Sequence, residues 1–182
     1  MILETERLIL RPWEESDAAD LYEYARDPRV GPMAGWLPHT SVENSRQVIR
    51  EILAVPETYA ICLKADSRAV GSIGIHFQTD MTDDPHEAEV GYWIGVPFWG
   101  NGYVPEAVRR IQRRAFAELG LTRLWCGYYD GNERSHRVQQ KCGFVFHHTT
   151  EGLFVPAMNE TRTGHVSTLS AEDWRKIQEA SR

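Results

Sequence analysis

The spacing of apolar and polar residues changes several times along the chain, and each change predicts a new element of secondary structure. Alternating residues, as in RLILR near the start, are typical of a strand, whereas apolar residues three or four positions apart are typical of a helix. Ser16 and Ser41 each precede a helical pattern and are predicted to cap it. The first third of the chain therefore predicts a strand at residues 7–11, a helix at 17–26, a loop at 31–40 and a helix from Ser41 to about residue 53.

The remainder of the chain alternates between strands and helices. A strand followed by a turn and a helix occurs twice in succession, beginning at Glu87 and again at Arg123. Gly120 and Gly143 are placed to end the two helices, and Ser170 is placed to cap a last one. The predicted strands are residues 58–64, 69–77, 87–96, 123–129, 144–148 and 164–169, with helices beginning near residues 105, 132 and 170. This order predicts a single mixed α/β domain over residues 1–182.

The turn before the first of these two helices has the sequence WGNGYVPEA, with Gly100 and Gly102 one residue apart. A helix N-terminus leaves its first N–H groups unpaired and carries partial positive charge. Glycine lets the backbone approach a ligand closely, and Pro105 suits the first helical position. The turn therefore predicts a phosphate or pyrophosphate site made of backbone donors.

Three alternative interpretations of this turn can be weighed from the sequence. A dinucleotide-binding fingerprint needs a third glycine at the position of Pro105. A P-loop needs a Gly-Lys-Ser/Thr end, which the turn lacks. A plain structural turn stays open until the flanking motifs are considered.

Composition and charge narrow the class of protein. The net charge of −6 argues against binding of nucleic acid through bulk electrostatics, although a local basic patch stays open. Glu4, Glu6 and Arg7 argue against a signal peptide, and no apolar run approaches the roughly 20 residues that cross a bilayer. The three cysteines and seven histidines lack metal-ligand spacing. We therefore predict a cytoplasmic protein with reduced thiols, no membrane segment and no metal site.

Four motifs in order carry a resemblance to a known family: ETERLILRPW, AEVGYWIGVPFWGNGYVPEA, NERSHRVQQKCGF and SAEDWRKI. With these motifs the chain resembles the GNAT N-acetyltransferases, and among them the ribosomal-protein N-acetyltransferase-like branch. The resemblance implies a mixed, mostly antiparallel sheet of about six or seven strands, splayed in the middle, with helices on both faces. It also implies transfer of the acetyl group of acetyl-CoA to a primary amine, by direct attack in a ternary complex. Relatives in this branch are often dimers, so a homodimer is expected.

The resemblance assigns the glycine turn to CoA. The family pattern Arg/Gln-x-x-Gly-x-Gly/Ala falls on residues 99–104, where Gly102 matches while Trp99 and Val104 depart from it. Arg134, Arg137 and Lys141 could meet the CoA phosphates, although such a trio is more often a solvated helix face. The residues expected to contact CoA are Tyr92, Trp93, Ile94, Val96, Trp99, Gly100, Asn101, Gly102, Tyr103, Val104, Asn132, Ser135 and Arg137.

Acetyl transfer to an amine needs a proton acceptor and stabilisation of the leaving thiolate. The resemblance implies Glu89 as the general base, with Glu87 on the same strand face as second choice; a purely structural Glu89 is the alternative. Many family members carry, seven residues after the position of Asn132, a Tyr that protonates the thiolate, but this chain has Gln139 there. The resemblance implies that this branch uses the position of Ser135 instead, so its hydroxyl is expected to contact the sulfur; a Ser135 that only caps backbone is the alternative.

The acceptor is expected near the first loop, with Trp36, Leu37 and Glu87 as substrate-binding candidates. The acidic balance favours a cationic acceptor, such as a protein N-terminus or a small-molecule amine. One alternative is a catalytically weak CoA-binding sensor or interaction module on the same fold. Another is a ribosome-associated or nucleic-acid-associated modifier, which needs a basic surface stripe.

Overall fold

An open sheet forms the centre of the protein in the computed structural model, which describes residues 1–180. Within that range the sheet has eight strands in the order β1-β2-β3-β4-β5-β6-β8-β7. All neighbouring strands are antiparallel except β5 and β6, which are parallel. The strands are β1 (Leu3–Glu4), β2 (Leu8–Arg11), β3 (Thr58–Leu63), β4 (Ala69–His76), β5 (Glu87–Ile94), β6 (Arg123–Tyr129), β7 (Val145–Val155) and β8 (Glu160–Ser170). The predicted fold class is confirmed, and the additional strand is the two-residue β1.

Helices cover both faces of the sheet. One buried cluster joins α4 to the centre of the sheet through Val108 and Ile111, and a second joins α1 and α3 to it through Leu21 and Ile49. The helices are α1 (Ala18–Ala25), α2 (Gly31–Ala34), α3 (Val42–Val48), α4 (Tyr103–Arg113), α5 (Glu133–Lys141) and α6 (Ala171–Ala180). Wider helical turns extend α3 through Leu53 and α4 through Glu118. No helix within residues 1–180 is long and apolar enough to cross a membrane.

Two predictions for the first third of the chain were wrong. Ser16 does not cap α1: it lies inside a 3-10 turn, and Asp17 accepts a hydrogen bond from the backbone N–H of Glu14 instead. Residues 31–40 are not only loop, because Pro32 in the first turn and Gly35 in the left-handed conformation bound the short helix α2. Ser41 does cap α3, with its hydroxyl oxygen 3.0 Å from the backbone nitrogen of Asn44.

The β7–β8 hairpin is longer than predicted. The sequence predicts strands at 144–148 and 164–169, whereas the structure extends them to Val155 and back to Glu160 around a tight turn. Most residues of β7 are exposed, because β7 is an edge strand of the sheet. Such a strand shows little alternation of apolar and polar residues, and this is why the pattern did not predict its length.

The centre of the sheet opens between β5 and β6. The two strands pair only over Glu87–Arg123, Ala88–Leu124 and Glu89–Trp125. Beyond Glu89, β5 keeps its pairing with β4 as far as Ile94, but within residues 1–180 no strand pairs with its other edge there. The predicted splay in the middle of the sheet is therefore confirmed.

Candidate active site

A cleft of about 1120 Å³ occupies the opening between β5 and β6. Side chains of β5 alternate between its two sides. Glu89, Gly91 and Trp93 face the side of α2, while Tyr92 reaches the side of α5. We call these the α2 side and the α5 side of the cleft.

The glycine turn lies at one end of the cleft. Gly100 and Gly102 both line it, and both have φ of 78°, in the left-handed region that glycine tolerates best. Helix α4 begins at Tyr103, so Pro105 is the third helical residue rather than the first. This position also lies within the first turn, where an N–H has no helical partner to lose. The first backbone N–H groups of α4, which have no partners within the helix, therefore lie beside the cleft.

Trp99 stands where the family pattern has Arg or Gln, and its side chain has a structural contact. Its indole Nε1 donates to the carbonyl oxygen of Ile94 at 3.0 Å, and the guanidinium of Arg134 lies 3.8 Å from the ring centroid. Arg134, Arg137 and Lys141 are exposed and also line the cleft. Helix α5 thus supplies cationic groups next to the backbone donors of the glycine turn. This end of the cleft fits the phosphates of a CoA thioester.

Asn132 fixes the start of α5. Its side-chain oxygen accepts a hydrogen bond from the backbone N–H of Ser135 at 3.2 Å, as a helix cap. Its amide nitrogen donates to the carbonyl oxygen of Met33 at 3.3 Å, which ties α5 to α2. The predicted cap is confirmed, and the same side chain connects the two sides of the cleft.

Four polar side chains meet on the α5 side. The hydroxyl of Tyr92 lies 2.9 Å from that of Ser135, and Gln139 Nε2 lies 3.5 Å from the same Ser135 oxygen. Cys126 on β6 lines the cleft beside them. Burial raises the pKa of both the Tyr92 phenol and the Cys126 thiol. All four groups are therefore uncharged at neutral pH.

Glu89 lines the cleft on the α2 side. Burial raises the pKa of its carboxyl, while a hydrogen bond with Thr79 lowers it and the charge of Asp80 raises it again. The net direction is upward, which makes the carboxylate a stronger proton acceptor than an exposed glutamate.

His76 also lines this side. It pairs with Glu89 across β4 and β5, and its imidazole lies over Gly74 and Gly91, which pair with each other. A Cβ atom at Gly74 would come within 2.7 Å of the ring, and one at Gly91 within 3.1 Å. Burial lowers the pKa of His76, so the ring is neutral at pH 7. Glycines two positions from His76 and from Glu89 were the available signal, because they share a strand face.

Glu87, expected to bind substrate, lies outside the cleft lining, and its role toward a substrate stays a prediction. Its carboxylate accepts hydrogen bonds from Trp125 Nε1 at 2.6 Å, from Thr82 at 3.1 Å and from Arg123 at 3.2 Å. Those bonds use most of the acceptor capacity of a carboxylate. Glu87 holds the closed end of the β5–β6 pair together.

The other expected contacts divide into two groups. Trp36 lines the cleft with its ring centroid 5.7 Å from that of Trp93, whereas Leu37 is exposed and lies outside the lining. Val96 and Asn101 are also outside it. The expected CoA contacts that do line the cleft are Tyr92, Trp93, Ile94, Trp99, Gly100, Gly102, Tyr103, Val104, Asn132, Ser135 and Arg137.

Comparison with known proteins agrees with this architecture. A Bacillus subtilis protein provisionally named a ribosomal N-acetyltransferase, YdaF, is 30% identical over 166 residues, which cover 85% of this chain and 87% of YdaF. YoaA, from the same organism and named an uncharacterized N-acetyltransferase, is 29% identical and covers 79% of this chain and 82% of its own. Both relatives carry N-acetyltransferase names.

Solved structures share the fold. A GNAT-family acetyltransferase from Bacillus anthracis superimposes with a TM-score of 0.82 at 22% identity, over 94% of this chain and 99% of that one. The ribosomal-protein-S5-alanine acetyltransferase from Vibrio fischeri gives 0.73 at 22% identity, over 96% and 98%.

The family model of the GNAT acetyltransferase domain matches residues 7–145, which include the glycine turn and the whole of β5, β6 and α5. The matched region thus contains both sides of the cleft. The chain belongs to the GNAT acetyltransferase family and is an N-acetyltransferase.

Proposed function

We propose that this protein transfers the acetyl group of acetyl-CoA to a primary amine while both substrates are bound. The observation that carries the proposal is the opening between β5 and β6, which has backbone donors and cationic side chains at one end and Glu89 on its α2 side. Acetyl-CoA supplies an activated acetyl thioester when it is bound.

The chain's own residues suggest how the donor would be held. The N–H groups of the glycine turn and of the start of α4 would bind the pyrophosphate. Arg134, Arg137 and Lys141 would neutralise the phosphates. The free edge of β5 beyond Glu89 offers backbone groups that no strand pairs, and these would bind the amides of the pantetheine arm.

Glu89 is the proton acceptor in this proposal. An amine of the lysine type has a pKa of about 10, so it must lose a proton before or during attack. The raised pKa of Glu89 brings its basicity closer to neutral pH. His76, neutral and on the same strand face, is a second group able to accept that proton.

The acceptor proposed is a cationic amine. Glu89 and Asp80 are acidic groups on the α2 side, and Trp36 and Trp93 offer aromatic faces to an ammonium group. The name of YdaF refers to the ribosome, so a ribosomal protein N-terminus is one acceptor of the proposed class. A polyamine or another small-molecule amine is the other. The homodimer and the cytoplasmic location stay predictions.

The test combines binding and turnover. Calorimetry with CoA should give binding, and release of free thiol from acetyl-CoA should rise well above the hydrolytic background with at least one amine from a panel of N-terminal peptides, polyamines and aromatic amines. Binding of CoA without amine-dependent thiol release would overturn the catalytic proposal in favour of the CoA-binding sensor. Absence of CoA binding would overturn both.

A further inference from the structure

The hydroxyl of Tyr92 links the two strands of the cleft to α5. It lies 2.9 Å from Ser135 Oγ and 3.3 Å from the Ser135 carbonyl oxygen. Tyr92 belongs to β5 and Ser135 to the first turn of α5, so this contact crosses the α5 side of the cleft. Both residues line it.

The partners of Ser135 decide where its own hydrogen points. A serine oxygen accepts up to two hydrogen bonds and donates one. The hydroxyls of Tyr92 and Ser135 lie 2.9 Å apart, a contact in which either can be the donor, and the amide nitrogen of Gln139 approaches the Ser135 oxygen as a donor at 3.5 Å. Within residues 1–180, no backbone carbonyl accepts from Ser135 Oγ, which is the usual bond of a serine in a helix. When the Tyr92 O–H is the donor, both acceptor positions of Ser135 Oγ are used, and the Ser135 hydrogen is available to a group in the cleft.

We propose that Tyr92 is a positioning residue, whose phenol O–H donates to Ser135 Oγ and thereby directs the Ser135 hydroxyl onto the sulfur of the bound CoA group. This inference rests on the proposed function, because it needs CoA in the cleft. A hydrogen bond to sulfur would strengthen as negative charge develops on the leaving thiolate. Hydrogen bonds in a chain polarise one another, so the Tyr92 bond would strengthen that of Ser135.

Tyr92 does not supply the proton itself. Burial raises its pKa well above the usual value of about 10, whereas an ordinary thiol has a pKa near 8.5. Transfer of the phenol proton to a thiolate would therefore be unfavourable, and the phenol keeps its O–H throughout the working pH range. Its contribution is a permanent donor in a fixed place.

The titratable groups around this pair do not change charge in the same range. Cys126 on β6 and Cys142 at the end of α5 face Tyr92. Burial raises the pKa of both thiols, to about 11 for Cys142. On the other side of β5 lie Glu89 and His76, which are common to every variant below.

The experiment measures binding rather than turnover. Affinities of CoA and of desulfo-CoA, which lacks the thiol, are determined by calorimetry on the full chain from pH 7 to 10. If Ser135 donates to the thiolate, the pKa of the bound thiol falls by about one unit, and CoA gains up to about tenfold in affinity over desulfo-CoA as the pH rises.

Three variants test the role of Tyr92. Tyr92→Phe keeps the ring and should lose most of the rise with pH in the affinity of CoA over that of desulfo-CoA. Ser135→Ala should lose all of this rise. The double variant should lose no more than Ser135→Ala. The matched control is Tyr59→Phe, which removes another buried hydroxyl, bound to Glu57 at 2.7 Å outside the cleft. This control should keep the wild-type gain.

The outcomes are distinct. Retention of desulfo-CoA binding reports that a variant is folded. A Tyr92→Phe protein that keeps the wild-type gain while Ser135→Ala loses it would overturn the role of Tyr92. A Ser135→Ala protein that keeps the gain would overturn the whole inference. Failure of the wild-type protein to bind either ligand would instead overturn the proposed function.

Discussion

The two sides of the cleft are built by different kinds of contact. On the α5 side, Tyr92, Ser135 and Asn132 are connected by hydrogen bonds of 2.9 and 3.2 Å. On the α2 side, Trp36 and Trp93 meet edge to face, and the imidazole of His76 rests on glycine backbone. Directional bonds define the position of one particular ligand, whereas aromatic faces and a carboxylate define only shape and charge. The α5 side is therefore suited to an invariant donor and the α2 side to acceptors that vary.

Substitution of Glu89 gives the largest expected effect and is confined to the α2 side. Glu89→Gln should lower turnover about 100-fold, because it removes the proposed proton acceptor, while CoA affinity stays within about twofold. The measurement is thiol release together with calorimetry. The comparison variant is Glu87→Gln, on the same strand face but outside the lining, which should change turnover less than about threefold. Equal losses in the two variants would contradict the assignment.

A second prediction concerns the donor end. Gly100→Ala should weaken CoA binding about tenfold, because a left-handed alanine costs about 1 kcal/mol and the turn relaxes away from the ligand. Gly152→Ala is the matched control: its φ is 72°, and like Gly100 it has nothing within 4 Å of an added Cβ. Both should lower the melting temperature by a similar amount. If both or neither weakened CoA binding, the turn would not be the phosphate site.

Trp36 tests the acceptor side with a smaller effect. Trp36→Ala should raise KM for the amine about fivefold and leave CoA affinity unchanged, because a cation–π contact contributes about 1 kcal/mol. Leu37→Ala, next to it but outside the lining, should leave both constants unchanged. Steady-state kinetics with the best amine of the panel measures this. A loss of CoA affinity in Trp36→Ala would show that the two sides are not independent.

The smallest effect is a shift in pH dependence. In the proposed reaction Glu89 accepts the proton as a carboxylate, and its pKa is raised, so kcat/KM should increase with pH as the group deprotonates. Thr79 lowers that pKa through its hydrogen bond. Thr79→Ala should therefore move the low-pH part of the kcat/KM profile, in which Glu89 deprotonates, to higher pH by less than about one unit. Thr79→Ser keeps the hydroxyl and should leave this part of the profile in place. A shift to lower pH in Thr79→Ala would refute the role of Thr79 in lowering the pKa of Glu89.

The sequence predicted what depends on local rules. The caps at Ser41 and Asn132, and the glycine turn before α4, follow from side chains and backbone conformations within a few residues. The Ser16 prediction was wrong because a 3-10 turn precedes α1: Glu14 is its N-cap, and Asp17, its last residue, accepts from the Glu14 backbone N–H. The edge strand β7 was underestimated because neither of its faces is buried along most of its length.

The polar contacts within the cleft could not be predicted in the same way. Tyr92 and Ser135 are 43 residues apart, and their hydroxyls meet only because β5 and α5 pack together. The imidazole of His76 fits in the cleft because two glycines on different strands, Gly74 and Gly91, leave room for it. Glu87 lies two residues from Glu89 and therefore on the same strand face, but its carboxylate accepts hydrogen bonds from Arg123 and Trp125. Tertiary neighbours, rather than spacing, decide which of two equivalent carboxylates is free.

The short parallel pairing of β5 with β6 has a mechanical consequence. Within residues 1–180, only three residue pairs join the five strands β1–β5 to the three strands β6, β8 and β7. The sheet therefore consists of two parts, called leaves here, and the short β5–β6 pairing between them is the seam. A molecule bound along the free edge of β5 would act as a temporary strand and stiffen the seam. The acyl donor would thus be part of the architecture while it is bound, and its departure would leave the two leaves freer to move.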